Sequence, residues 1–310
     1  MIVAFIACLC WSIAIFPVTI AVQKIGHQPV NFFRHLIAFI ILGLFVFILQ
    51  PNFLHHLSAC NNTTLLLIFT SGVFGLVLSD VLRLRALSQL GIKTVSFFSA
   101  CQPAVGFLFG WLFLNEQQNL IGFTGLVLII AGLILFAQFN YQSTKARADL
   151  KELLLLVLCL LAQGLSLVFS KMAIIKTIGL LQPYEIAYIR IIGAVACMII
   201  MALLNKKLLQ WTKDLFKNKN KANVYFFTST FLGNITAVCC SLYALSVLPS
   251  VVAQSVFSLA PFFILVINHL YKREKLKPVQ IIAAIISISG VYLVLWQKEW
   301  LVKLHSLCSV

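Results

Sequence analysis

Charge is what this chain has least of. Asp, Glu, Lys and Arg make up 10% of its 310 residues, and acids are the rarer sign, 8 against 23 bases. A soluble globular domain carries about 25% charged residues, so a chain that is 61% hydrophobic falls outside that class. Residues 35 to 82 contain no Lys, Arg or Glu and a single Asp, Asp80, while residues 222 to 271 contain no charged residue. Each run can supply two membrane spans of about 20 residues, divided at Pro51-Asn52 and at Leu248-Pro249-Ser250. Other absences narrow the function. The nine cysteines include no C-x-x-C pair and sit in or beside apolar stretches, with one exception, so they read as small apolar fillers. The six histidines form no metal-ligand spacing, with His35 and His269 standing alone, so neither a metal nor a cofactor is expected. No H-E-x-x-H motif or paired carboxylates occur, so the chain is not expected to be an enzyme. Met1 to Gln23 lacks a basic leader and a small-residue cleavage site, and reads as a first helix that is retained.

What is present is a duplication. Adding 158 to the residue number carries Gly75 to Gly233, Ala86-Leu87-Ser88 to Ala244-Leu245-Ser246, Leu90 to Leu248, Pro103 to Pro261, Glu116 to Glu274 and Gly132 to Gly290. Nearer the start of each half the offset shrinks, pairing Arg34 with Arg190, Pro29 with Pro183 and Lys24 with Lys176, as loop insertions would require. Apolar runs predict ten helices near 1 to 23, 30 to 50, 64 to 88, 93 to 114, 119 to 139, 151 to 174, 184 to 204, 223 to 247, 250 to 271 and 278 to 297. The expected organisation is an all-α polytopic membrane protein: a first five-helix repeat over 1–140, a linker over 141–150, a second repeat over 151–298 and a tail over 299–310. Backbone groups left unpaired in hydrocarbon are costly, and these runs are too long for barrel strands. An odd number of spans per repeat makes the second repeat enter from the opposite face, so the two lie inverted about an axis in the membrane plane.

The order of these features resembles the drug/metabolite transporter superfamily, in particular its ten-helix members with two EamA-type domains. The resemblance rests on Trp11-Ser12, Lys24-Ile25-Gly26, Arg34, Ala86-Leu87 with Gly91, Ser99 to Pro103, Leu114-Asn115-Glu116, and Gly125 with Gly132. Phe169-Ser170-Lys171, Arg190, Tyr243-Ala244-Leu245, Ser258 to Pro261 and Arg273-Glu274 carry it in the second half. It departs at Asn115-Glu116 and Arg273-Glu274, where the family usually has Gly-Glu. The resemblance implies a secondary transporter, often an exporter, of small metabolites, amino acids or drug-like solutes in a bacterial inner membrane. A non-transporting receptor or scaffold and a facilitative exchanger of anionic metabolites are the alternative readings.

Polar residues inside apolar helices mark the candidate site, because such groups are expensive in lipid. Asp80 and Arg83 stand one helical turn apart, and read either as a local ion pair near the interface or as a proton site beside an anion anchor. Proline within a helix frees carbonyls, so Pro103 and Pro261 with Ser96, Ser99, Gln102, Gln254, Ser255 and Ser258 are expected to form a cavity wall. Trp11, Ser12, Gln163, Ser166 and Asn234 are expected to reach the same cavity. Arg34 and Arg190 read as interfacial anchors or as an entrance that draws in anions. Glu116 and Glu274 read as structural turn acids that cap helix amides. Gly122, Gly125 and Gly132, mirrored by Ala283, Ala284 and Gly290, suit close helix packing within the chain or a homodimer.

The net charge of +15 belongs to loops facing lipid headgroups and is not a nucleic-acid footprint. Most bases fall on the face holding loops one-two, three-four, five-six, seven-eight and nine-ten, which by the positive-inside rule puts both termini outside. The resemblance implies the opposite, both termini in the cytoplasm.

Overall fold

The computed structural model describes residues 1–116, 119–141, 150–217, 222–272 and 278–307, and among these the chain is helical without strands. The first repeat contains α1 (Ile2–Ile25), α2 (His27–Leu49), α3 (Phe53–Ala59), α4 (Asn62–Gly72), α5 (Asp80–Ala100), α6 (Gln102–Leu114) and α7 (Leu120–Tyr141). The second contains α8 (Leu150–Lys176), α9 (Pro183–Leu204), α10 (Leu208–Lys217), α11 (Ala222–Ser229), α12 (Ala237–Val247), α13 (Ser250–Phe257), α14 (Ala260–Lys272) and α15 (Pro278–Leu307). Seven stretches are long and apolar enough to cross a membrane, and α6, α7 and α15 contain the shorter apolar runs that complete the remaining three spans. The fold is a polytopic bundle of ten spans in two inverted repeats.

The contacts obey the twofold relation. The first span, α1, packs on the eighth, built of α11 and α12, while the sixth, α8, packs on the third, built of α4 and the start of α5. Spans two and seven meet as α2 against α9, and spans five and ten meet as α7 against α15. This last contact uses the small residues: a Cβ on Gly125 would lie 2.7 Å from the Gly290 carbonyl, and one on Gly132 would lie 2.3 Å from Ser287 Oγ. The small-residue faces are therefore occupied within one chain.

Several boundaries differ from those expected. α1 and α2 are separated by Gly26 alone, whose φ of 103° is open to glycine without strain, so the second span begins at His27 and not near residue 30. Two expected loops hold short helices in equivalent places, α3 after the second span and α10 after the seventh. Their shortness and polar residues hid their period.

The third and eighth spans each contain one π-helical segment, Val73–Ser79 and Thr230–Thr236, at places that match between the repeats to within one residue. A π turn widens the helix and releases carbonyls from the regular ladder. Side chains from other helices take up carbonyls in and beside these turns. Asn31 Nδ2 donates to Leu76 O at 3.1 Å, Trp11 Nε1 to Gly233 O at 3.2 Å and Ser166 Oγ to Ser71 O at 2.6 Å.

The fourth and ninth spans are broken at equivalent points, Cys101 and Ser258-Leu259. Pro103 consequently sits in the first turn of α6, where its missing N–H costs nothing, and Pro261 holds the same place in α14. Neither proline kinks a continuous helix, contrary to expectation, because the helix ends just before each of them.

Candidate functional site

The repeats enclose a cavity of about 130 Å³ between spans one, two, three, four, six, seven, eight and nine. Of the expected site residues, Trp11, Asp80, Arg83, Ser99, Gln102, Gln163 and Asn234 line it, and so do Arg34 and Arg190. Ser12, Pro103, Ser166, Gln254, Ser258 and Pro261 do not. Ser12 Oγ donates to the Cys8 and Ala260 carbonyls, and Ser258 Oγ to the Ser255 carbonyl, so both hydroxyls are spent on helix backbone.

The cavity lies toward one end of the bundle. The fourth span lines it with its first half, from Val95 to Gln102, and the ninth with its later part, from Phe257 to Ile264. At the other end the complementary halves, α6 and α13, pack directly on each other. A Cβ on Gly106 would come within 2.6 Å of the Gln254 side chain, and one on Gly110 within 2.9 Å of Ser250 Oγ. Gln254 is fully buried in this seam with neither amide atom hydrogen-bonded.

Glu116 fastens the same end, in a way the sequence did not suggest. Its carboxylate accepts from Ser250 N at 2.8 Å and from Ser250 Oγ at 2.7 Å, capping α13 of the opposite repeat. The acid thus joins the repeats across the seam, where a local turn marker was expected. Its counterpart Glu274 lies outside the described residues.

Arg34 and Arg190 occupy the cavity wall. They are 3% and 2% exposed, which excludes the interfacial-anchor role. Each guanidinium backs onto the π turn of the other repeat: a Cβ on Gly233 would lie 3.1 Å from Arg34 Nη2, and one on Gly75 would lie 3.2 Å from Arg190 Nη2. Glycine at these two positions makes room for the arginine. Arg190 Nη2 donates to Ser166 Oγ at 2.9 Å, while Arg190 Nε, Arg34 Nε and Arg34 Nη1 are buried without partners.

Asp80 accepts from Arg83 Nη2 at 2.7 Å, so the pair anticipated at i,i+3 exists, but in the cavity wall and largely buried. His35 Nε2 stands 3.8 Å from the other Asp80 oxygen. The same nitrogen lies 2.9 Å from Asn234 Nδ2, and His35 Nδ1 lies 2.9 Å from the Asn31 carbonyl. These contacts fit the neutral tautomer in which Nδ1–H donates to Asn31 and Nε2 accepts from Asn234. His35 was missed by sequence reasoning as a lone histidine; its position directly after the duplicated Arg34 was the available signal. Ser79, Ser96 and Ser241 also line the cavity. Arg85 donates to Glu152 at 2.7 Å outside it, joining the end of the third span to the start of the sixth.

A family model described as the EamA-like transporter family matches residues 1–138 and 150–296. None of the curated proteins matches the chain. A solved structure titled "Crystal structure of protein" superposes with a TM-score of 0.69 over 96% of this chain and 97% of that chain, at 13% identity. At that identity the likeness concerns the fold alone.

Proposed function

Because the chain belongs to the EamA-like transporter family and is a membrane transporter of the drug/metabolite kind, we propose that it moves a small metabolite by alternating access, outward across a bacterial inner membrane. The observation that carries this reading is the unequal closure of two equivalent seams. The fourth and ninth spans are packed closely at one end through α6, α13 and the Glu116 cap, and less closely around the cavity at the other, where α5 and α14 still touch. The twofold relation supplies a second arrangement in which the halves exchange roles.

The closed seam is also built to reopen. Gln254 buries an amide without a partner, and an unmet buried polar group weakens the packing that hides it. Opening gives that amide a partner. Asp80 serves as the counter-ion of Arg83, and proton coupling involves the Asp80, His35 and Arg83 group.

Solute counterflow in proteoliposomes tests the proposal. Saturable exchange of at least one small metabolite, faster than in protein-free vesicles, is the expected result. Solute binding without any counterflow would make the protein a receptor and overturn the transport reading. Under an imposed pH gradient, Asp80→Asn should change the flux if this group carries the coupling.

A further inference from the structure

We propose that the cavity takes a small organic anion, a carboxylate with an apolar body and no compensating positive charge, held by Arg34 and Arg190. The inference rests on the cavity being the solute site of the transporter described above. It begins with a mismatch of charge. Among the described lining residues there are three guanidiniums and one carboxylate, and that carboxylate is already bound by Arg83 at 2.7 Å. Among the described residues neither Arg34 nor Arg190 has a carboxylate within 4.0 Å, Asp80 acting on both only from farther off, and both are buried. A buried cation without a counter-ion is strongly unfavourable, and an incoming anion removes that penalty.

The arrangement is built and not incidental. The two arginines are equivalent in the repeats, and each is seated on the glycine of the opposite repeat's π turn, so the same packing presents both to the cavity. Buried donors without partners, Nε and Nη1 on Arg34 and Nε on Arg190, leave hydrogen-bonding capacity unused. Guanidinium donors lie in a planar fork that matches a carboxylate.

The rest of the wall sets the remainder of the solute. Trp11 and Phe257 meet edge to face at 5.2 Å, and Val95, Leu160 and Ile264 continue an apolar surface. A bare inorganic anion would leave this surface unused. Among the described residues Asp80 Oδ2 accepts no hydrogen bond. The charge of Asp80 is nevertheless already matched by Arg83 and outnumbered by Arg34 and Arg190, so a solute ammonium adds positive charge to a wall that is already net positive. An amine is therefore repelled, and a zwitterion carries an ammonium that the net positive wall disfavours. A cavity volume of about 130 Å³ accommodates a small branched body of this kind.

Three molecules with one branched apolar body separate these cases: 4-methylpentanoate, leucine and 3-methylbutylamine, with inorganic phosphate as a fourth probe. Titration calorimetry on the purified full chain in detergent should show 4-methylpentanoate binding at least about tenfold tighter than leucine or phosphate, and no binding of the amine. Arg34→Gln and Arg190→Gln should each weaken the carboxylate by about tenfold or more. Equal or tighter binding of leucine, the amine or phosphate would overturn the proposal, as would unchanged affinity in both variants. If Arg34→Gln does not fold, Arg190→Gln and the ligand ranking on the unaltered chain still decide. Counterflow separates the two proposals. Carboxylate binding without counterflow overturns transport and keeps the anion site, whereas flux of leucine or the amine without carboxylate binding does the reverse.

Discussion

The two repeats share their backbone devices and differ in their chemistry. Each has a one-turn π segment in its third span, a broken fourth span, an arginine in its second span and a glycine that receives the other repeat's arginine. The cavity wall is far less symmetric. Asp80 and Arg83 correspond to Val238 and Ser241, all four of which line the cavity, and His35 corresponds to Ile191. Gly106, which lets Gln254 approach in the closed seam, corresponds to Ile264. The backbone devices and one arginine each are therefore duplicated, while Asp80, His35 and Arg83 belong to one half. Under the proposed alternating access, the two arrangements related by the twofold axis would differ in energy, since Ile264 cannot pack as closely as glycine does at the opposite end.

The largest expected effect comes from unbalancing the charged half. Asp80→Asn leaves the partly buried Arg83 without its counter-ion, which costs about 3 kcal/mol, the low end for breaking a buried pair. The double substitution Asp80→Val with Arg83→Ser gives the first repeat the residues of the second and removes both charges together. It should melt within about 1 kcal/mol of the unaltered chain and yet lose flux. Thermal melting in detergent beside counterflow checks both parts. A double variant as unstable as Asp80→Asn would show that the charges serve the fold through contacts beyond their mutual pairing.

Next in size is a test of the duplicated glycines. A Cβ at position 75 would sit 2.2 Å from Ser166 Oγ and 2.9 Å from Ser166 Cβ, whereas at position 233 its nearest neighbour would be Arg34 Nη2 at 3.1 Å. Gly75→Ala should therefore cost about 1–3 kcal/mol by overpacking, and Gly233→Ala less than about 1. Equal melting temperatures for the two alanine variants would mean that the repeats are packed alike here.

The legibility of the molecule followed the same division. Span number, duplication and inversion were readable because they are written in long apolar runs and in landmarks repeated at a fixed offset, such as Gly75 and Gly233. The π turns were not, since an extra residue in a helix leaves no composition signal. Proline was read correctly as a marker of equivalent places and wrongly as a kink inside a helix, because the break at Cys101 precedes Pro103. Arginine placement needed depth: Arg34 lies seven residues into α2, and a one-residue turn at Gly26 carries it farther into the bundle than the expected start near residue 30 allowed. Glu116 could not be assigned to α13 from sequence, as its partner Ser250 is 134 residues away.

The smallest effect, and the one that bears most directly on movement, concerns Gln254. Its amide is enclosed against Gly106 with no hydrogen-bond partner, while its counterpart in the other repeat, Ser96, lines the cavity and has a buried hydroxyl that is also unpartnered. Replacing Gln254 by Leu keeps side-chain bulk in the seam and removes the unmet polar group, so the closed end should gain about 1 kcal/mol. Ser96→Ala removes a hydroxyl at the less closely packed end, and should change melting less. If the seam must open during each cycle, the added stability of Gln254→Leu slows exchange, so melting temperature and counterflow rate should move in opposite directions. Should both rise together, the seam between α6 and α13 is a fixed part of the scaffold, and the rocking motion has to be sought at another contact between the repeats.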